Sequence, residues 1–218
     1  MARNSRISPS RILPSVLLAL TLCAAPLARA ADSASWGVDQ LMSTLAQRKT
    51  GRATFTETKY LSMLEKPVES SGELVFVAPD RLEKRTLRPK PENLVVEGEM
   101  VTVERGGKRF TMPLQNYPEL AAFIESIRGT LAGNRNALER YYRLKIEGRA
   151  SRWTLTLTPA DSRMAAMVSE VRIDGTQDAL DVVEIRQPDG DRSVMKIRAA
   201  AGSGNAGNTA NTGNTGKP

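Results

Sequence analysis

The chain has 218 residues, 31 Lys+Arg against 24 Asp+Glu, no histidine and one cysteine, for a formal net charge of +7. The lack of histidine excludes Ser-His-Asp catalysis and removes the commonest general base and metal ligand. The lone Cys23 lies in a leader-like segment, so thiolate nucleophiles, thiolate metal sites and disulfides are not expected in a mature protein.

Residues 1–30 read as a secretory signal peptide. Arg3, Arg6 and Arg11 form a basic start, "ILPSVLLALTLCAAPL" an apolar stretch, and Ala28-Arg29-Ala30 a small-x-small cleavage site. The stretch is short for a membrane span and is interrupted by Pro14; a retained anchor is the alternative. Leu22 before Cys23 does not suit a lipoprotein signal. The segment holds four arginines and no acid, so the remainder carries 27 basic and 24 acidic groups. These are interleaved rather than clustered, and no nucleic-acid partner is expected.

From residue 31 a single domain is predicted to about 199. Residues 36–49 place Val38, Leu41, Met42 and Leu45 at helical spacing, with Gly51 as the expected stop. Strand signals follow at 53–64, 72–78, 81–88, 92–98, 99–106 and 108–114, with Glu97-Gly98 and Gly106-Gly107 as turns. A helix is predicted over 117–131, where Leu120, Phe123, Ile124, Ile127 and Leu131 form one stripe, with a short helix at 135–141. Pro118 suits its first turn and Gly133 its end. Strands resume at 142–148, 152–159, 167–175, 179–187 and 191–198, the last two joined through Pro188-Asp189-Gly190. From Ala201 the tract "AGSGNAGNTANTGNTGKP" holds no apolar residue larger than alanine, and 200–218 are expected to be a disordered tail.

Consecutive alternating strands of this number predict a mainly β fold, a strongly curved, unclosed antiparallel barrel with helices covering its concave face. Aromatic residues are only 5% of the chain. The inward positions are chiefly Leu, Val, Ile and Met, a lining suited to varied apolar guests. The residues nominated for an apolar cavity are Phe55, Leu74, Phe76, Leu82, Leu94, Val96, Phe110, Met112, Leu155, Leu157, Val183, Ile185 and Met195. Phe123, Ile127 and Leu131 are nominated on the covering helix.

Carboxylate chemistry is the remaining catalytic option. Glu57, Glu65, Glu69, Glu73, Glu83, Glu92, Glu97, Glu99 and Glu104 are read as mostly solvent-facing, where cross-strand ion pairs account for them. Gly106-Gly107 lacks the Lys-Ser/Thr context of a phosphate loop. No enzyme activity, metal or cofactor is therefore expected.

Several stretches, in order, resemble the periplasmic outer-membrane lipoprotein carrier family, the LolA-like proteins. They are "ATFTETK" (53–59), "SGELVFVAPDRL" (71–82), "PENLVVEGEMVTV" (91–103), "YYRLKI" and "RWTLTLTP" (141–159), "EVRIDG" (170–175) and "EIRQPDGDRSVMKI" (184–197). No single stretch is specific; the collinear set carries the resemblance. It implies a periplasmic monomer whose cavity takes acyl chains of lipoproteins or another acylated lipid from a membrane-bound donor to an outer-membrane acceptor protein. Two departures stand out. The arginine that family members place before the proline of the "SGEL" strand, a lid fastener, is Ala78 here. Aromatic positions nearby are taken by Leu82, Lys84 and Val101. A competing expectation is a non-transporting envelope scaffold that binds a protein partner by a sheet edge; its interior would be filled. A carboxylate hydrolase, with two acids converging in a cleft, is the third.

Overall fold

The computed structural model describes residues 36–200. The expected leader (1–30) lies outside them, as does nearly all of the expected tail (200–218). Helix α1 (Val38–Leu45) is followed by strands β1 (Thr50–Tyr60), β2 (Val68–Val77), β3 (Arg81–Arg88), β4 (Glu92–Glu97), β5 (Met100–Arg105) and β6 (Lys108–Pro113). A 3₁₀ turn (Leu114–Asn116) leads into α2 (Pro118–Leu131) and α3 (Arg135–Glu139). Strands β7 (Tyr142–Arg149) and β8 (Arg152–Pro159), the short α4 (Ser162–Ala165), and β9 (Glu170–Thr176), β10 (Ala179–Arg186) and β11 (Arg192–Ala199) complete the order.

All eleven strands form one antiparallel sheet in the order β6-β5-β4-β3-β2-β1-β11-β10-β9-β8-β7. β6 and β7 are its two edges, so the barrel is not closed. Every neighbouring pair except β1–β11 is a sequential hairpin or meander connection, as the closely spaced turn signals predicted. Gly98, Gly106, Gly107 and Gly190 take the positive φ that tight turns require.

The ladders align side chains into rows across the sheet. One row runs Met112–Val101–Val96–Leu82–Phe76. The next runs Phe110–Val103–Leu94–Lys84–Leu74–Ala53. On the other half, Glu57–Met195–Val183–Ile173–Leu155 lie in register. Since side chains alternate along a strand, these rows share the face that the helices cover.

Two apolar clusters divide that face. The first joins Leu41, Met42 and Leu45 of α1 to Leu138, Tyr142, Trp153, Leu155, Leu157, Val171 and Ile173. The second joins Val96, Val101 and Leu114 to Ile124 of α2. Helix α1 ends at Leu45, earlier than expected, and Gly51 lies inside β1. The polar run Gln47-Arg48-Lys49 lacks the apolar stripe needed to continue the helix against the core. The expected strand 167–175 starts only at Glu170; Asp161 caps α4 just before it, its carboxylate accepting from the Met164 N–H at 2.9 Å.

Candidate functional site

Between the two clusters the concave face stays open. A cavity of about 690 Å³ lies there, roofed by α2 and floored by β1–β4, β10 and β11. Leu120, Phe123, Ile124, Ile127 and Leu131 come down from α2. Leu74, Phe76, Leu82, Leu94, Val96, Val183, Ile185 and Met195 rise from the floor, with Gly51 and Ala53 between them. The stripe predicted on 117–131 therefore faces the cavity, and its half-buried Phe123, Ile127 and Leu131 meet both the sheet and the hollow.

Five nominated residues share the concave face without lining the cavity. Leu155 and Leu157 are fully buried in the first cluster, where α1 and Trp153 fill the space that a guest would need. Met112 packs against the second cluster. Phe110 sits on the edge strand β6, beyond the reach of α2, and is 54% exposed. Phe55 is buried, its ring against Gly72, and Lys84 Nζ sits 5.0 Å above the ring centroid.

The largest departure from the sequence reading is Glu57, expected in solvent. It shares the face of Phe55 two residues earlier, is 5% exposed, and lines the cavity. Its carboxylate accepts from Lys84 Nζ at 2.6 Å, Ser193 Oγ at 2.7 Å and Ser70 Oγ at 3.3 Å, and Lys59 Nζ lies 3.7 Å away. Burial by itself raises the pKa of this carboxyl, but the Lys84 charge, the hydrogen bonds from Lys84 and Ser193, and Lys59 outweigh it and hold the value below the ordinary 4.5. The stability contributed by the ionised group is thus present above about pH 4.5 and is lost as pH falls through its lower, folded-state pKa. Glu57→Gln should cost about 2 kcal/mol at neutral pH, because Lys84 loses its counter-charge. The gap between variant and wild-type melting temperatures should close on acidification, which thermal scans across pH 3 to 7 will check. Glu92 also reaches the cavity wall rather than solvent alone.

Helix α2 is held by its own arginine. Arg128 Nη1 donates to the Gly98 carbonyl at 2.6 Å, in the β4–β5 turn. Its Nη2 and Nε grip Glu125 Oε2 at 2.6 and 3.0 Å. The side chain is largely buried, so this tie is worth more than an exposed pair. Tyr142 adds a second tie, its hydroxyl donating to the Ala122 carbonyl at 3.2 Å. Arg128→Met should lower stability by about 2 kcal/mol and speed hydrogen exchange in 118–131 more than in the sheet. Equal acceleration throughout would contradict a local tie.

Neither tie was legible from sequence, since each depends on which turn or strand end α2 crosses. Among the described residues no group of three or more His, Cys, Asp or Glu is placed to hold a metal. No helix among them is long and apolar enough to cross a membrane.

A family model described as "Outer membrane lipoprotein carrier protein LolA-like" matches residues 30–215. The chain belongs to this LolA-like family. None of the curated proteins matches it. Among solved structures it is similar to a LolA superfamily protein from Nitrosomonas europaea, at TM-score 0.40 and 9% identity over 75% of this chain and 92% of that one. A DUF1329 family protein from Desulfovibrio piger aligns at TM-score 0.43 and 11% identity, over 76% and 91% of the two chains. The Mycobacterium tuberculosis lipoprotein LppX aligns at TM-score 0.38 and 10% identity, over 73% and 93%. The LolA-like assignment rests on the family model.

Proposed function

We propose that this LolA-like protein binds the acyl chains of a lipoprotein or another acylated lipid beneath α2 and carries them across the periplasm between membranes. The observation that carries the reading is the apolar hollow itself: about 690 Å³, within the ~300–1,000 Å³ range of small-ligand sites. The scaffold alternative called for a filled interior, and the open cavity favours the carrier.

The energetics suit transport. Burying hydrocarbon gains roughly 0.8 kcal/mol per CH₂, so a sixteen-carbon chain gains about 12 kcal/mol gross. Ordering the chain and lifting α2 offset several kcal/mol of that. A lining of Leu, Val, Ile and Met adapts to its guest without directional bonds, which leaves release possible. A membrane-bound donor and an outer-membrane acceptor protein are the partners such a cycle needs.

Titration with a fluorescent fatty-acyl probe tests the reading, followed by transfer of labelled lipid between donor and acceptor vesicles. Saturable binding with accelerated transfer is expected. Absence of binding to acyl probes of any length would contradict the carrier, and binding without transfer would reduce it to a lipid-binding protein.

A further inference from the structure

The convex face of the sheet, opposite the cavity, carries a second depression of about 470 Å³. Thr54, Thr56 and Ser71 lie in it together with Arg88, Lys196 and Arg198, and one carboxylate, Glu73, and the apolar Leu87 also line it. The ladders explain the grouping. Lys196, Thr56, Ser71 and Arg88 are directly opposite one another across β11, β1, β2 and β3. The adjacent row runs Arg198–Thr54–Glu73–Arg85.

Arg88 reaches this row only because of a bulge. Ser71 pairs with Arg88 while its neighbour Gly72 pairs with Thr86, which leaves Leu87 as an extra residue in β3. Uninterrupted alternation from Lys84 and Thr86 would turn Arg88 toward the concave side. The bulge places it on the convex side, opposite Ser71. A bulge that re-aims one side chain is a recurrent feature of binding sites.

The charge balance is the second observation. Arg85 has Glu73 at 3.7 Å and Glu83 at 3.0 Å. Arg88, Lys196 and Arg198 have no carboxylate within ion-pair distance among the described residues, although most other basic groups on the sheet do. Like charges gathered in one concavity repel, and they stabilise an anion that enters it. The hydroxyls of Thr54, Thr56 and Ser71 lie between them as short, neutral donors.

We infer that the convex depression around Thr56, Ser71, Arg88 and Lys196 is a binding site for a phosphate group. Two cations flanking two hydroxyls match a tetrahedral oxyanion with several acceptor oxygens. The row spans three strand spacings of about 4.8 Å, room for one such group rather than a polyanionic tract. Its source is either a phosphorylated lipid headgroup or a free phosphate. The depression shares only Arg198 with the cavity lining, and the site does not depend on the carrier reading.

The test uses the full mature chain. Inorganic phosphate is titrated against ¹⁵N-labelled protein, and flotation is measured with phosphatidylcholine vesicles with and without phosphatidic acid. Saturable shifts centred on Thr54, Thr56 and Ser71 are expected, and Arg88→Gln/Lys196→Gln should weaken phosphate about tenfold or more. Flotation that needs phosphatidic acid and is lost in the variant assigns the phosphate to a lipid headgroup; phosphate shifts without flotation assign it to a free anion. The site is overturned if neither probe binds, or if the folded double variant, checked by its melting curve, binds both as wild type does. Thr56→Val removes a hydroxyl without altering charge and should weaken phosphate on its own; an unchanged affinity there together with an unchanged double variant would leave only diffuse electrostatics.

Discussion

Ala53→Trp should weaken acyl-probe binding by about tenfold or more, while the protein stays folded. Ala53 lies on the floor in the first half of β1, opposite Leu74 of β2 and Ala199 of β11, and it lines the cavity. An indole at this position occupies the space that a hydrocarbon tail needs. Overpacking a filled core costs about 1–3 kcal/mol, but here the ring enters a hollow, and the stability change should lie at or below the low end of that range. Thr58→Trp, on the opposite face of the same strand, is the control and should leave probe affinity unchanged. Loss of binding in both variants would point to a general disturbance of β1 instead of a blocked cavity.

Trp153→Ala should lower stability by about 4 kcal/mol and unfold a large fraction of the protein at moderate temperature. Trp153 is 1% exposed at the centre of the first cluster, and its Nε1 donates to the Gln177 carbonyl at 2.9 Å. The indole lies against Gly175 of β9, its register partner, where any Cβ would collide with it. Removing the ring opens a void in the first cluster beside Gly175. Chemical denaturation read by circular dichroism will check the size of the loss. A change below about 1 kcal/mol would mean that the cluster collapses around the gap.

The two substitutions separate the two uses of one sheet face, and that division was only half legible in the sequence. Alternation with period two identified the inward rows, because Leu74 and Phe76, or Leu155 and Leu157, are two residues apart on strands of clear β character. Turn glycines at 98, 106–107 and 190 set the hairpins, and the stripe from Leu120 to Leu131 set the covering helix. What alternation lacks is long-range information. It treats Leu155 and Val183 alike, although both belong to the first cluster and only Val183 also lines the cavity. Glu57 shows a different gap: its parity with Phe55 pointed inward, but its charge suggested solvent, and only the arrival of Lys84 and Ser193 from two other strands resolves the conflict. The bulge at Leu87 was invisible for a third reason, since one extra residue leaves composition and local pattern almost unchanged. The tie from Arg128 has no local sequence signal either, since it depends on the turn at Gly98 lying beside α2.

The most direct test of the carrier account is native mass spectrometry of the protein purified from its own compartment without detergent. A population heavier than the polypeptide by the mass of an acylated molecule, released by organic extraction and absent from Ala53→Trp, is the predicted result. Protein that is lipid-free as isolated, and that stays unliganded after incubation with acylated lipids, would contradict it.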